Sequence, residues 1–136
     1  MGLIVIVGKC SAENFPKGVS VIKTNSCGLI DCEGAVVILG AGAVAEIRSA
    51  LGVIANGDEP AEDLPRFVQL ITCGVSPKNT VSITSRTPEK ITLSLNRSIR
   101  TQSGVIEPLE QPVPANDLIS EFDLMAGFAA SLLIGE

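Results

Sequence analysis

Two kinds of hydrophobic pattern run along this chain. Leu3–Val7, LIVIV, is a continuous apolar run, as expected of a β-strand covered on both faces within a parallel sheet. Val19–Ile22 and Ala35–Leu39 are a second and a third strand candidate. From Ala43 to Ile54 the apolar positions Val44, Ile47, Leu51 and Ile54 recur at the helical period, with Glu46, Arg48 and Ser49 on the other side. That spacing predicts an amphipathic helix. The turn residues of ANGDEP then predict a loop, and Arg66–Thr72, RFVQLIT, reads as a fourth strand or a short helix.

The pattern changes in the middle of the chain. Val81–Ser85 and Lys90–Leu95 alternate apolar and polar residues, with Ile91, Leu93 and Leu95 on one face and RTPE between the two segments. TQSG at 101–104 marks another turn before Val105 and Ile106. Alternation with short turns predicts an antiparallel meander with one polar face. Pro108, Pro112 and Pro114 each lack a backbone donor, so the segment that carries them predicts an edge strand or an extended linker.

A helix is expected over about Leu118–Ile134. Asn116 or Asp117 can cap it, Ser120 with Asp123 offers a second start, and Gly135 suits its end. After Asp123 no charge appears until Glu136. A helix apolar around most of its circumference needs cover on most sides. It is either the central core helix or a contact with a second copy, and the spacing of charges favours homo-oligomerisation through this helix. The fold class is therefore α/β over 1–136: a βα-type half at 1–80 with a mainly parallel sheet, then a meander and a closing apolar helix at 81–136.

Composition narrows the function classes. The chain has 136 residues, of which 46% are hydrophobic and only 3% aromatic, with neither Trp nor Tyr. Its core must be aliphatic, and no stacking platform for single-stranded nucleic acid is available. A net charge of -5 also disfavours nucleic acid and anionic membrane surfaces as partners. Between Leu64 and Ile106 the charges are Arg66, Lys78, Arg86, Lys90, Arg97 and Arg100 against Glu89, whereas from Glu107 onward all are acidic. These segments can pair with each other or simply remain solvated. The apolar run of MGLIVIVG is too short for a signal or spanning segment. Four cysteines do not make a disulfide scaffold, so a cytoplasmic protein with reduced thiols is expected.

Candidate chemistry lies at the strand ends. Gly40, Gly42 and Ala45 follow an apolar run at the spacing of a dinucleotide-binding turn, and Asp58 and Glu59 lie near the distance of its ribose-binding acid. GVIANG, however, is a thin second strand for such a unit. Gly8-Lys9 is followed by Cys10 rather than Ser or Thr, so a phosphate loop is not formed. The more regular feature is a repeated tip composition: Gly8, Lys9 and Cys10 after the first strand, Lys23 to Gly28 after the second, and Cys73, Gly74, Ser76 and Lys78 after the fourth.

Parallel strands share one carboxyl edge, where ligands bind. Gly8, Lys9, Cys10, Gly40, Gly42, Cys73, Gly74, Ser76 and Lys78 are therefore candidate residues for a small anionic ligand, with backbone N–H groups and ammonium groups as its partners. Ordinary turn chemistry favours the same residues. A thiol-dependent enzyme using Cys10 or Cys73, and a purely structural assembly protein, are the alternatives. The chain has no histidine, which excludes Cys–His and Ser–His arrangements. Cys27 and Cys32 lack the second close pair of a zinc site, and no cofactor is indicated.

Overall fold

A computed structural model of the chain describes residues 2–11, 15, 18–58 and 68–135. Most of the acidic DEPAED segment, the beginning of RFVQLIT and the side chain of Cys27 lie outside the described residues. The strands are β1 (Leu3–Val7), β2 (Ser20–Thr24), β3 (Ser26–Asp31), β4 (Ala35–Leu39), β5 (Val44–Ser49) and β6 (Gly52–Asn56). They continue with β7 (Leu70–Cys73), β8 (Val81–Arg86), β9 (Lys90–Leu95), β10 (Ile99–Thr101), β11 (Gly104–Ile106) and β12 (Leu109–Pro114), and α1 (Glu121–Ile134) closes the chain. The fold is mixed α/β, mostly strands with one C-terminal helix among the described residues.

An eight-stranded sheet runs in the order β12-β9-β8-β7-β6-β4-β1-β2. From β2 to β8 neighbouring strands are parallel, and β9 runs antiparallel to both β8 and β12. Pro112 and Pro114 fall in β12, at the edge of the sheet, and Pro108 lies just before it. β10 and β11 form a separate hairpin around the TQSG turn, so they do not extend the meander.

The expected helix over 43–54 does not form. That segment is two strands, β5 and β6, which lie in different layers. β5 alternates between exposed and half-buried residues, with Ala45 and Ile47 inward and Val44 outward at 66% exposure. Its β-branched residues fit a pleated ribbon as well as a helix face. Val53 and Ile54 of β6 are fully buried on opposite faces of the main sheet, an environment that an amphipathic helix cannot supply. β3 and β5 pair in parallel as a second, two-stranded sheet. From β2 to β6 the chain winds as a coil, alternating a strand of the main sheet with a strand of the small one.

Three layers result. Ile4, Ile6, Val36, Ile38, Ile54 and Ile71 meet α1 on one face of the main sheet. Val5, Val7, Val37 and Val53 meet Ile30 and Ile47 of the small sheet on the other. The uninterrupted apolar runs of β1 and β4 reflect this double cover. Ser120 caps α1, its hydroxyl accepting from the Asp123 N–H at 3.1 Å, and Gly135 ends it at φ 71°. The helix thus takes the later of its two sequence starts.

The helix is covered within the chain. Met125, Ala126, Ala129, Ala130 and Leu133 are buried against the sheet, and only Glu121 of its residues is exposed. Its uncharged surface therefore does not require a second subunit. Arg86 and Glu121, from the basic and acidic segments, meet as a two-pronged pair at 2.6 and 3.0 Å. Among the described residues, no helix is long and apolar enough to cross a membrane.

Gly52 sets how closely the helix approaches. A Cβ there would stand 2.8 Å from Leu133 Cδ1. Gly52→Val is expected to cost about 1–3 kcal/mol through overpacking, and Leu133→Ala about 2–5 kcal/mol through the cavity it leaves. In urea unfolding the double variant should be more stable than the sum of the two single losses implies. Strict additivity would show that this contact does not explain the glycine.

Candidate functional site

The parallel registers place the carboxyl ends of β1, β2, β4, β6 and β7 along one rim. Val7 stands beside Thr24 and Leu39, and Asn56 beside Cys73. All nine candidate residues lie at or just beyond these ends. They fall into two groups, because β6 separates β4 from β7. Two strand spacings amount to about 10 Å, and three, from β1 to β7, to about 14 Å. A small anion touching the backbone at Gly8 or Gly40 does not also touch it at Gly74.

The first group is Gly8, Lys9, Cys10, Gly40 and Gly42. The turns after β1 and β4 are joined by a backbone bridge: Lys9 N–H donates to Ala41 O at 2.9 Å, and Ala41 N–H to Lys9 O at 3.2 Å. Glycine is needed for this approach. A Cβ on Gly40 would overlap the Lys9 carbonyl, and one on Gly8, at φ 84°, would stand 2.8 Å from Ala41 O. Gly8 and Gly40 N–H groups donate to Thr24 O and Val7 O, so both are engaged within the chain. Gly42 differs: at φ 76° it needs glycine for its conformation, and the space beside it is open.

No helix follows this turn. The chain enters β5, so the helix N-terminus that a dinucleotide pyrophosphate would use is missing from this position. That removes the dinucleotide reading of Gly40, Gly42 and Ala45. Lys9 is exposed and has no ion-pair partner among the described residues. Ser11 N–H donates to Asp123 Oδ2 at 3.1 Å, which ties the loop after β1 to the N-terminal turn of α1.

The second group is Cys73, Gly74, Ser76 and Lys78, and its turn is filled from within. Asp58 Oδ2 accepts from Val75 N–H at 2.8 Å, and its Oδ1 from Asn79 Nδ2 at 3.2 Å. The acid that sequence spacing offered to a ribose is thus bound to the next turn. A Cβ on Gly57 would collide with the Asn79 amide, and one on Gly74 would stand 2.5 Å from Asp58 Oδ1. Asn96 Nδ2 donates to Asn79 O and to Ser82 Oγ, both at 2.9 Å. Ser94 Oγ donates to Asn96 Oδ1 at 2.8 Å, and Thr72 Oγ1 accepts from Thr80 N–H at 3.1 Å.

Every buried side-chain nitrogen or oxygen among the described residues has a partner, so this network is complete without a ligand. Sequence reasoning did not find Thr72, Asn79 and Asn96. Their only signal was polar residues where the apolar strand pattern would continue or turn. Lys78 is exposed, and its carbonyl accepts from Arg97 Nη2 at 2.6 Å.

The two cysteines differ in setting. Cys73 is fully buried in the helix-side core, and Cys10 is half-buried against the same cluster. Burial first, and the neighbouring Cys10 second, push the Cys73 thiol far above its ordinary value of 9.0. It is held as the neutral thiol, which is the state of a packing residue rather than of a nucleophile. Among the described residues no three His, Cys, Asp or Glu side chains gather as a metal site. No family model matches the chain, and comparison with curated proteins and with solved structures gives no match.

Two outcomes follow from this geometry. Asp58→Ala leaves Val75 N–H and the Asn79 amide without their acceptor and should cost about 1–3 kcal/mol in denaturant unfolding. Asp58→Asn, which keeps an acceptor oxygen, should cost less. Cys73 ionises in the unfolded chain above about pH 9 but not in the folded one, so it removes stability as pH rises past that point. Cys73→Ala should have a flatter stability curve between pH 8 and pH 10 than the parent, and equal slopes would contradict the assignment.

Proposed function

We propose that the protein is a cytoplasmic binding domain that takes a small anion, a carboxylate or a phosphate, at the β1–β4 part of the rim. The supporting observation is the Lys9–Ala41 bridge, which holds an exposed ammonium-bearing residue, without an ion-pair partner among the described residues, next to the open backbone of Gly42. The position is also the place where the sheet changes winding direction. Cys10, Phe15 and Val19, in the connection from β1 to β2, pack against the core cluster under α1. The connections from β2 to β4 and from β4 to β6 pass through the small sheet on the opposite face. Crevices at such a switch are where doubly wound sheets take ligands. Lys9 supplies the charge, and the Gly42 turn allows close backbone approach.

Titration with inorganic phosphate and with acetate, followed by amide NMR, tests the reading. Shifts are expected at Lys9–Ser11 and Ala41–Ala43. Lys9→Ala should weaken binding on the order of tenfold, as loss of a charge-assisted contact does. Lys78→Ala, in the turn filled by Asp58, should leave it unchanged. Absence of shifts at tens of millimolar anion, or an unaltered Lys9→Ala variant, overturns the proposal.

A further inference from the structure

The two edges of the main sheet are built differently. At one edge β12 pairs with β9, and Ala115 N–H, continuing that ladder, donates to Glu89 O. Alternation then turns Pro112 and Pro114 outward, so two donors are missing from the open edge. Glu110 has the same outward parity. This edge carries the usual protection against pairing with another strand.

β2 at the opposite edge has no proline and a single charged residue, Lys23. Ser20 N–H donates to Gly2 O, and Thr24 O accepts from Gly8 N–H, so Ser20, Ile22 and Thr24 direct their backbone groups to β1. Val21 and Lys23 direct theirs away, and among the described residues no strand pairs with that side. β2 also lies beyond the cover of both outer layers. Val21 is 40% exposed and Ile22 51%, on opposite faces.

We propose that β2 is a self-association edge, which pairs antiparallel with β2 of a second copy about a two-fold axis through Ile22. Backbone parity fits this register. Val21 faces Lys23 of the other copy, both with outward N–H and C=O groups, giving two hydrogen-bonded pairs. The two Ile22 residues form the non-hydrogen-bonded pair between them, where side chains approach most closely. Charge agrees with this register. It sets each Lys23 opposite Val21, which its aliphatic stem covers, whereas an axis through Lys23 would oppose two ammonium groups. The pairing is isologous and closed, so it ends at a dimer.

Sedimentation of the full chain over a concentration series tests this. A dimer of twice 14.1 kDa is expected. Ile22→Lys and Val21→Lys each place like charges opposite one another at exposed positions, so the fold, followed by circular dichroism, should persist. Dimerisation should weaken on the order of tenfold or more. Glu110→Lys, on the protected edge, should leave it unchanged. In the Ile22→Cys variant, mild oxidation should crosslink two copies through position 22, as the close Cα approach of such a pair allows. A parent that stays monomeric, or a dimer that survives both lysine variants and does not crosslink there, overturns the assignment.

Discussion

β1, β4 and β6 have no polar face. Ile4 and Ile6 point to one side and Val5 and Val7 to the other, with all four buried, and the same division holds for Val36, Ile38 and Val37 in β4. A strand of this kind is stable only between two apolar layers. The rest of the fold meets that need. α1, whose surface is apolar nearly all round, covers one face. The small β3–β5 sheet, whose residues alternate, covers the other. Each outer layer has the pattern its place requires: the helix, partly overlapped by neighbouring segments, has almost no exposed residue, whereas β5 sends Val44, Glu46 and Arg48 outward.

The double cover has a limit, and the polar network marks it. Beyond β7 the second face of the sheet has no β3–β5 layer, and its inward positions turn from Val to Thr72, Ser82 and Ser94. The 74–80 loop closes that face. A loop brings backbone polar groups with it, which must be satisfied where water is excluded. Asn79, Asn96 and the hydroxyls of the strands do this, and Asp58 anchors the loop from the neighbouring tip. A polar cluster at the end of a sheet thus has a structural origin, and the completeness of its hydrogen bonding is what identifies it as such.

Much of this was legible in the sequence, and the failures share a cause. β1, β4, β9 and the helix end at Gly135 were marked by continuous runs, alternation and a cap, all local signals. The helix expected over 43–54 failed because Val44, Ile47, Leu51 and Ile54 fit a helical face only if they bury together. In the fold Ile47 belongs to one layer, Ile54 to another and Val44 to neither. The break at Ala50–Leu51, where the chain changes layers, carries no Pro or Asn to announce it, and Gly52 is explained by Leu133, a residue 81 positions away. Contacts at that range leave no periodicity. At the rim, sequence composition located the turns but not their partners. Nothing local says that Asp58 turns toward Val75 or Asp123 toward Ser11.

Those two carboxylates bear on what the rim can do. Backbone N–H groups at the ends of parallel strands favour anions, and here Val75 and Ser11 N–H already hold them, at 2.8 and 3.1 Å. The chain therefore uses its own acids where a ligand-binding relative of such a sheet would use a bound anion. Self-occupation lowers the capacity of the rim for an external anion and concentrates what is left. The β7 turn is closed by Asp58 and its amide network, and the helix end by Asp123. Between them Gly8 and Gly40 N–H donate to Thr24 O and Val7 O and the Lys9–Ala41 bridge engages two more backbone donors, while the Lys9 side chain and Gly42 stay exposed. A ligand bound there would meet one exposed cation and one open turn. Selectivity would then rest on charge and small size rather than on an enclosing pocket, and affinity would fall with ionic strength, because exposed charges are screened over about 8–10 Å at physiological salt.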